Sequence, residues 1–227
     1  MATATEAGLG LAPLLQLLRL ASPSLPVGAF AWSQGLEGAI ELGWVDSPDR
    51  FGDWVGAVLA QNFAEQELPL LHRFLAAEPD QRPRWNRLAL ALRETAELRR
   101  EDTHCGAALL RLARATGVAA AEDWPVEAEV SYLTAYALSC GHWQIPYPGA
   151  GVALAWSWVD NQVAAALKLG LFGQTRGQQI AVRLTAEIPV LVERAKRVAD
   201  ADIGLSLPGQ VLASMLHETQ YSRLFRS

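Results

Sequence analysis

The sequence is short of cysteine and of charge. Its 227 residues include only two cysteines, Cys105 and Cys140, so no disulfide framework is possible and a reducing, cytoplasmic environment is expected. Charged residues make up 19% of the chain against 51% hydrophobic residues, which favours a large packed core over disorder. The net charge of −5, with no block rich in lysine and arginine, argues against a nucleic-acid partner.

Motifs of nucleotide-binding and hydrolytic sites are also missing. The chain has no phosphate-binding G-x-x-x-x-G-K-[ST] loop and no G-x-S-x-G nucleophile turn. His217 and Glu218 begin like the zinc-binding H-E-x-x-H, but Tyr221 stands where the second histidine must be. The sequence therefore predicts no catalytic residue and no bound cofactor.

Soft-metal ligands occur in two short pairs, His104 with Cys105 and Cys140 with His142. Thiols and imidazoles suit zinc or nickel. Adjacent residues on a helix, however, point about 100° apart, and neither pair has the spacing of a structural zinc site. Because free cysteine is also a common core residue, no metal site is predicted.

One long apolar run, residues 151–169, stands out in the chain. Its length is close to that of a membrane span, but Asp160, Asn161 and Gln162 lie at its centre. A charge at the bilayer midplane costs about 3 kcal/mol, so a membrane span is not expected. A helix that is apolar nearly all round, with one polar seam that includes Ser157 and Asn161, is typical of the centre of a helical domain.

The rest of the chain reads as helical. No alternation typical of a β-strand extends beyond four residues, whereas helix signals recur: Ser47-Pro48 is an N-cap followed by an N1 proline, and Thr175 with Gln178 forms a capping-box pattern. Pro69 is expected to kink or break the helix that Pro48 starts. The charged segment 93–102 is expected to lie on a solvated face or a polar partner surface, since such side chains are rarely buried unpaired.

These patterns predict an all-α protein with a single domain of roughly ten helices around a central buried helix at about residues 151–169. Residues 1–10 are expected to form a flexible N-terminal tail, residues 11–216 the helical domain, and residues 217–227 a C-terminal tail.

Two stretches carry a family resemblance: LPVGAFAWSQGLEGAIELGWV at 25–45 and HETQYSRLFRS at 217–227. Together with RETAELRRE at 93–101, they closely resemble the urease accessory protein UreF family, in the right order along nearly the whole chain. The resemblance implies an all-α, dimeric scaffold without catalytic activity. Its implied partners are UreD (also called UreH), the GTPase UreG and the urease apoprotein, to which the complex delivers nickel in a GTP-dependent cycle.

The residue chemistry of the C-terminal tail is compatible with that role. Apolar anchors and planar donors of the kind enriched in interfaces occur together there, and our candidate partner-binding residues in the tail are Glu218, Gln220, Tyr221, Arg223, Leu224, Phe225 and Arg226. Ser33 and Glu37, one helical turn apart, are the next candidates. Tyr221 and Phe225 could instead dock on the protein's own core, and the 22–37 loop could simply join two helices. Arg223 or Arg226 could also act as an arginine finger toward the GTPase.

Two other interpretations remain open. The chain could be a small helical enzyme that uses His104, His142 and nearby carboxylates, or a helical adaptor unrelated to urease. An enzyme needs those side chains to converge in one pocket, whereas a scaffold needs an exposed apolar surface.

Overall fold

A computed structural model describes residues 9–226, so the predicted tail at residues 1–10 lies largely outside the described residues. The described chain forms one all-α domain without β-strands, as the sequence predicts. Its twelve α-helices are α1 (Leu11–Ala21), α2 (Leu36–Glu41), α3 (Pro48–Val58), α4 (Leu68–Ala76), α5 (Arg82–Ala91), α6 (Ala96–Ala115), α7 (Ala119–Glu122), α8 (Tyr132–His142), α9 (Tyr147–Lys168), α10 (Gln174–Thr185), α11 (Ile188–Ala195) and α12 (Pro208–His217).

The predicted central helix is α9. It packs against α1, α2, α4, α10 and α11, and its buried side chains, among them Leu154, Trp158 and Val163, cover most of its circumference. One stripe that includes Val152 and Trp156, four residues apart, is exposed. The helix begins four residues before the apolar run, at Tyr147, because Pro146 and Pro148 suit the start of a helix. Within residues 9–226 no helix is long and apolar enough to cross a membrane.

The polar seam of α9 holds a loop in place. Asn161 and Gln162 donate side-chain hydrogen bonds to the backbone carbonyls of Trp32 (3.4 Å) and Ser33 (3.3 Å), and the Trp158 indole donates to the Gln34 side chain. These groups satisfy the carbonyls of a loop that runs over the core, where unpaired backbone groups would be costly. The seam therefore positions the segment that leads into α2.

Of the two predicted helix starts, the N-cap at Ser47 is confirmed and the capping box at Thr175 is not. Ser47 caps α3, since its side chain accepts a hydrogen bond from the Arg50 backbone. The prediction of a capping box at Thr175 is wrong, because α10 begins at Gln174 after Gly173 and has no side-chain cap. A glycine in an extended conformation can begin a helix without a side-chain acceptor, so the pattern at Thr175 falls inside the first turn.

Pro69 interrupts the α-helical pattern without ending the helix. After α3 the chain continues as a π-helical stretch (Leu59–Glu67) and then as α4, in which Pro69 is the second residue. Proline lacks a backbone N–H, and the wider π-helical turns change the hydrogen-bond register just before it. The predicted break is thus a change of helix type along a continuous helical segment.

Candidate functional site

Helices α2 and α12 approach each other unusually closely. Gly35 has a φ of 85°, which favours glycine, and it directly precedes α2. A Cβ atom on Gly38 would lie only 2.4 Å from the Ala213 carbonyl oxygen and 3.3 Å from the Cβ of His217. Because two glycines remove side chains at the crossing, the last turn of α12 comes to lie directly against α2.

His217, the last residue of α12, is completely buried at this crossing. Its Nδ1 atom lies 2.9 Å from a carboxylate oxygen of Glu97 on α6, and its Nε2 atom lies 3.1 Å from a carboxylate oxygen of Glu37 on α2. Glu97 is 1% exposed and Glu37 is 6% exposed. One imidazole ring therefore bridges buried carboxylates from two other helices.

The same carboxylates fix the C-terminal segment. Glu37 accepts hydrogen bonds from the backbone N–H groups of Leu224 (2.6 Å) and Phe225 (2.9 Å). Arg223 binds Glu97, with 3.2 Å between Nη1 and Oε1. We call Glu37, Glu97, His217 and Arg223 the tail cluster. It anchors a segment that has no regular helix of its own.

Phe225 adds an apolar anchor beside the tail cluster. Its ring is buried, and the Lys168 ammonium at the end of α9 lies 4.3 Å from the ring centre, a distance suited to a cation–π contact. The Arg226 backbone N–H donates to the carbonyl of Ala31 (2.9 Å). The C-terminal segment is thus tied to α2, α6, α9 and the loop before α2.

Large apolar side chains are exposed on α12 and on the anchored segment that follows it. Leu212, Met215 and Leu216 form one exposed face of α12, spaced three and four residues apart. Farther along, Leu224 is half exposed and the Tyr221 side chain is fully exposed, at 105% of its reference area. We call these five residues the C-terminal surface. Exposed apolar side chains this dense, on a segment held in position, are typical of an interaction site.

A second set of buried charges lies one turn farther along α6. Arg93 forms a two-pronged ion pair with Glu67 and lies 3.2 Å from Asp102, while Glu101 accepts a 2.6 Å hydrogen bond from Gln34. We call Glu67, Arg93, Glu101 and Asp102 the acid-rich cluster. All four line a cavity of about 240 Å³ between α6, α9 and the loop before α2.

The acid-rich cluster has more negative than positive groups, and its pKa values reflect this. Burial raises the pKa of Glu101 to about 8, and the Gln34 hydrogen bond only partly opposes the shift. Burial also raises the pKa of Asp102, against the influence of Arg93. For Arg93 the effect of burial is outweighed by Asp102 and Glu67, which raise its pKa. One arginine is therefore shared among three carboxyl groups.

Known proteins resemble this chain along nearly its full length. The UreF family model matches residues 45–185. A urease accessory protein UreF from Hahella chejuensis is 45% identical over 94% of this chain and 98% of its own length. UreF proteins from Alkalilimnicola ehrlichii (41% identical, all of both chains) and a Marinomonas species (42%, 94% of both chains) are similarly related. The chain belongs to the UreF family.

The UreF resemblance inferred from residues 25–45 and 217–227 is thereby confirmed, and those two stretches meet in the structure. Glu37 from the first and His217, Leu224 and Phe225 from the second are in direct contact. The two motifs that carried the resemblance thus form a single structural unit around the tail cluster.

The candidate partner-binding residues fall into two groups. Tyr221, Arg223, Leu224, Arg226 and Glu218 have exposed side chains, and Gln220 is partly exposed. Ser33, Glu37 and Phe225 are buried within the chain, where Ser33 accepts a hydrogen bond from the Glu37 backbone. Partner binding by all of these residues stays a prediction, and the buried three can affect it only by positioning the others.

Sequence reasoning missed the burial of Glu97 and the helical position of His217, both in the tail cluster. The expectation of a solvated face at 93–102 is wrong for Glu97, Glu101 and Asp102, which are buried. A signal for this was available: Glu97 and Glu101 continue, at four-residue spacing, the apolar stripe of Cys105 and Leu109 on α6. His217 was assigned to the tail, although it is still part of α12.

The histidines of the enzyme hypothesis have separate surroundings. His104 is exposed on α6 beside Trp32 (ring centres 6.2 Å apart), whereas His142 is exposed at the end of α8 against Trp143. Both cysteines are buried and unpaired, and burial raises the pKa of Cys140 to about 12. Among residues 9–226, no three or more His, Cys, Asp or Glu residues are grouped so as to hold a metal ion.

Proposed function

We propose that the chain is a non-catalytic scaffold of urease maturation in the cytoplasm. In this proposal it binds UreD (UreH), recruits the GTPase UreG and supports nickel delivery to the urease apoprotein. Membership of the UreF family supports the urease connection, since relatives at 41–45% identity are named urease accessory proteins. The partners and the nickel step rest on the family resemblance of the sequence.

The observation that carries the proposal is the C-terminal surface. Partner recognition needs apolar anchors that are exposed before binding yet already held in place, because ordering a mobile segment costs binding free energy. Leu224 meets both conditions, since its side chain is exposed and its backbone N–H donates to Glu37. The exposed Tyr221 lies two residues before Arg223, whose side chain binds Glu97. Arg223 lies between Tyr221 and Leu224, Arg226 follows Leu224 by two residues, and arginine is enriched at interfaces.

We also propose that the scaffold is a homodimer. A separate apolar stripe on α1, formed by Leu11, Leu15 and Leu18 at helical spacing, is exposed in the single chain. On the neighbouring α9, Val152 and Trp156 are exposed as well. A two-fold dimer pairs the same surface of both subunits, so this apolar face is our candidate for the dimer interface. Light scattering on the chain alone gives the mass that decides this point.

Tyr221→Ala tests the partner surface. If the Tyr221 side chain is an interface anchor, its removal should weaken UreD binding by about 2 kcal/mol, or roughly thirty-fold in Kd, without changing helicity. Titration calorimetry with purified UreD measures the affinity and circular dichroism the fold. Val190→Ala, an exposed apolar residue on α11, is the matched control and should bind like the parent. Unchanged affinity of Tyr221→Ala would move the interface elsewhere.

A further inference from the structure

The cavity beside the acid-rich cluster combines acidic and apolar walls. Besides the three acidic residues of that cluster, Glu94 and Asp160 belong to its lining, and Arg93 is the only basic residue of the lining among residues 9–226. Apolar side chains, among them Phe63 and Leu154, form much of the remaining wall. A cleft lined mainly by charges of one sign concentrates ions of the opposite sign. The lining therefore favours a cation with an apolar part.

Gln66 presents a hydrogen-bond acceptor to this cavity. Its Nε2 atom donates to the backbone carbonyls of Gly204 (3.3 Å) and Leu205 (2.9 Å). Because carbonyl oxygens only accept, these contacts determine which end of the side-chain amide is the nitrogen. No described residue donates to the other end, Oε1, although Gln66 is only 2% exposed and lines the cavity. This oxygen is not among the polar atoms that the protein seals off completely, so it is open to a donor in the cavity.

Glu101 presents a second acceptor from α6. Its Oε1 atom accepts a 2.6 Å hydrogen bond from Gln34, whereas no described residue donates to Oε2. Burial raises the pKa of Glu101 to about 8, and Arg93, which Glu67 and Asp102 engage, only partly opposes the shift. A positively charged donor in the cavity supplies both the hydrogen bond and the counter-charge that this carboxyl group lacks.

An aromatic pair provides an apolar surface in the same cavity. The rings of Phe63 and Trp158 belong to its lining, with their centres 4.9 Å apart. Aromatic rings pack well against a ligand ring, and their faces attract cations. The cavity volume of about 240 Å³ lies between the about 150 Å³ of an apolar cavity that holds benzene and the roughly 300 Å³ at which sites for drug-sized ligands begin. The space thus suits one ring or one short alkyl chain with a single charged group.

The backbone that carries several of these groups is unusual. Phe63 and Gln66 belong to the π-helical stretch Leu59–Glu67, which also supplies Asn62 and Glu67 to the lining. π-Helical turns are rare and occur frequently at functional sites. This one stretch brings an aromatic ring, an amide oxygen and a carboxylate into the same cavity.

We propose that the cavity is a binding site for a small organic cation, a primary ammonium group carried by an aromatic ring or a short alkyl chain. The ammonium group donates to Gln66 Oε1 and Glu101 Oε2, and the apolar part packs against Phe63 and Trp158. A primary ammonium has three N–H donors and no acceptor, which matches a site that offers acceptors. A metal ion matches less well, since among residues 9–226 no three His, Cys, Asp or Glu side chains are grouped so as to hold one. The cavity shares no residue with the C-terminal surface, so this proposal does not rest on the proposed function.

Nuclear magnetic resonance on the full-length, ¹⁵N-labelled chain tests the site with benzylammonium as the probe. The Trp158 indole N–H and the Gln66 side-chain amide report on the cavity, and the indole of Trp143, at the end of α8 and outside the lining, is the internal control. We expect the two cavity signals to shift saturably with a Kd of about 1 mM or tighter, while the Trp143 signal stays in place. Benzyl alcohol, which has the same shape without the charge, should bind about ten-fold more weakly, and the benzoate anion should not bind.

Two outcomes overturn the proposal. One is the absence of a saturable shift at Trp158 with benzylammonium. The other is binding of benzyl alcohol or benzoate as tight as that of benzylammonium, because the site would then not select a cation. Since no partner protein is present, a failure of the partner surface in the Tyr221→Ala experiment leaves either result intact.

A variant comparison tests the acceptor on α6. Glu101→Gln keeps the shape of the side chain but removes its negative charge, so the Kd of benzylammonium should rise about ten-fold while that of benzyl alcohol stays the same. Glu78→Gln, at an exposed position after α4 and outside the cavity, should bind both probes like the parent. An unchanged Kd of benzylammonium in Glu101→Gln would contradict the proposal. If circular dichroism shows that Glu101→Gln does not fold, the three probes on the unmodified chain still decide.

Discussion

Two buried charged clusters lie one helical turn apart on α6, and they are built on opposite principles. The tail cluster, through Glu97, pairs two carboxylates with His217 and Arg223. The acid-rich cluster, through Glu101 and Asp102, gives three carboxyl groups a single arginine. The first therefore ties its acidic groups to the C-terminal segment, and the second shares one arginine among three acidic groups, where burial raises the pKa of Glu101 to about 8.

Because of this difference, the charges of the two clusters affect different parts of the molecule. The acid-rich cluster lines a cavity and joins helices that are already packed, so its charges affect the stability of the domain. The tail cluster joins α2, α6 and α12 to the C-terminal segment, so its charges affect the position of that segment. Each prediction below changes one cluster and leaves the other intact.

Arg93→Met should have the largest effect. It removes the only positive charge of the acid-rich cluster and leaves the partly buried Glu67 and the buried Asp102 without a partner cation. Breaking a buried ion pair by removing one partner typically costs 3 to 5 kcal/mol, and we expect about 4 kcal/mol here. Urea unfolding followed by circular dichroism measures the change. Arg87→Met, an exposed arginine on α5 without an ion pair to any described residue, should stay within about 0.5 kcal/mol of the parent.

Glu97→Gln should cost less, about 2 to 3 kcal/mol, because the amide keeps the shape of the side chain and part of its hydrogen bonding while it removes the charge that His217 and Arg223 share. Its distinguishing effect is local: the C-terminal segment should become accessible to trypsin at Arg223 before the domain unfolds. Glu94→Gln, an exposed position just before α6, is the matched control. Destabilisation by Glu97→Gln without a change in cleavage at Arg223 would separate the cluster from the segment.

The sequence alone could predict much of this fold but little of the two clusters. Apolar periodicity was enough to predict the all-α class and α9, since a helix that is buried over most of its circumference leaves a long apolar run in the sequence. The prediction for the charged segment 93–102 was wrong because charged side chains usually lie in solvent. Here three acidic side chains are buried and have hydrogen-bond partners on distant parts of the chain: Gln34, His217 and Tyr132. Pairings between such distant positions follow from tertiary packing, which no local pattern encodes.

The smallest expected change per pH unit, and the one that separates the clusters most clearly, is in the pH dependence of the free energy of unfolding of Glu101→Gln. The pKa of Glu101 is raised by burial from 4.5 to about 8, so the folded state holds a proton that the unfolded state releases. The stabilisation from this group is complete below about pH 4.5 and is lost as the pH rises to about 8. Between those limits Glu101 makes the free energy of unfolding fall by at most about 1.4 kcal/mol per pH unit.

Glu101→Gln carries no ionisable group at this position and can still accept the Gln34 hydrogen bond, so its free energy of unfolding should decline less steeply than that of the parent between about pH 5 and about pH 8. Urea unfolding at several pH values measures both slopes. Glu94→Gln should keep the parent slope. Equal slopes for Glu101→Gln and the parent would mean that Glu101 is already ionised in the folded chain. In that case the acid-rich cluster would have to balance its charge through another group, and the contrast with the tail cluster would no longer hold.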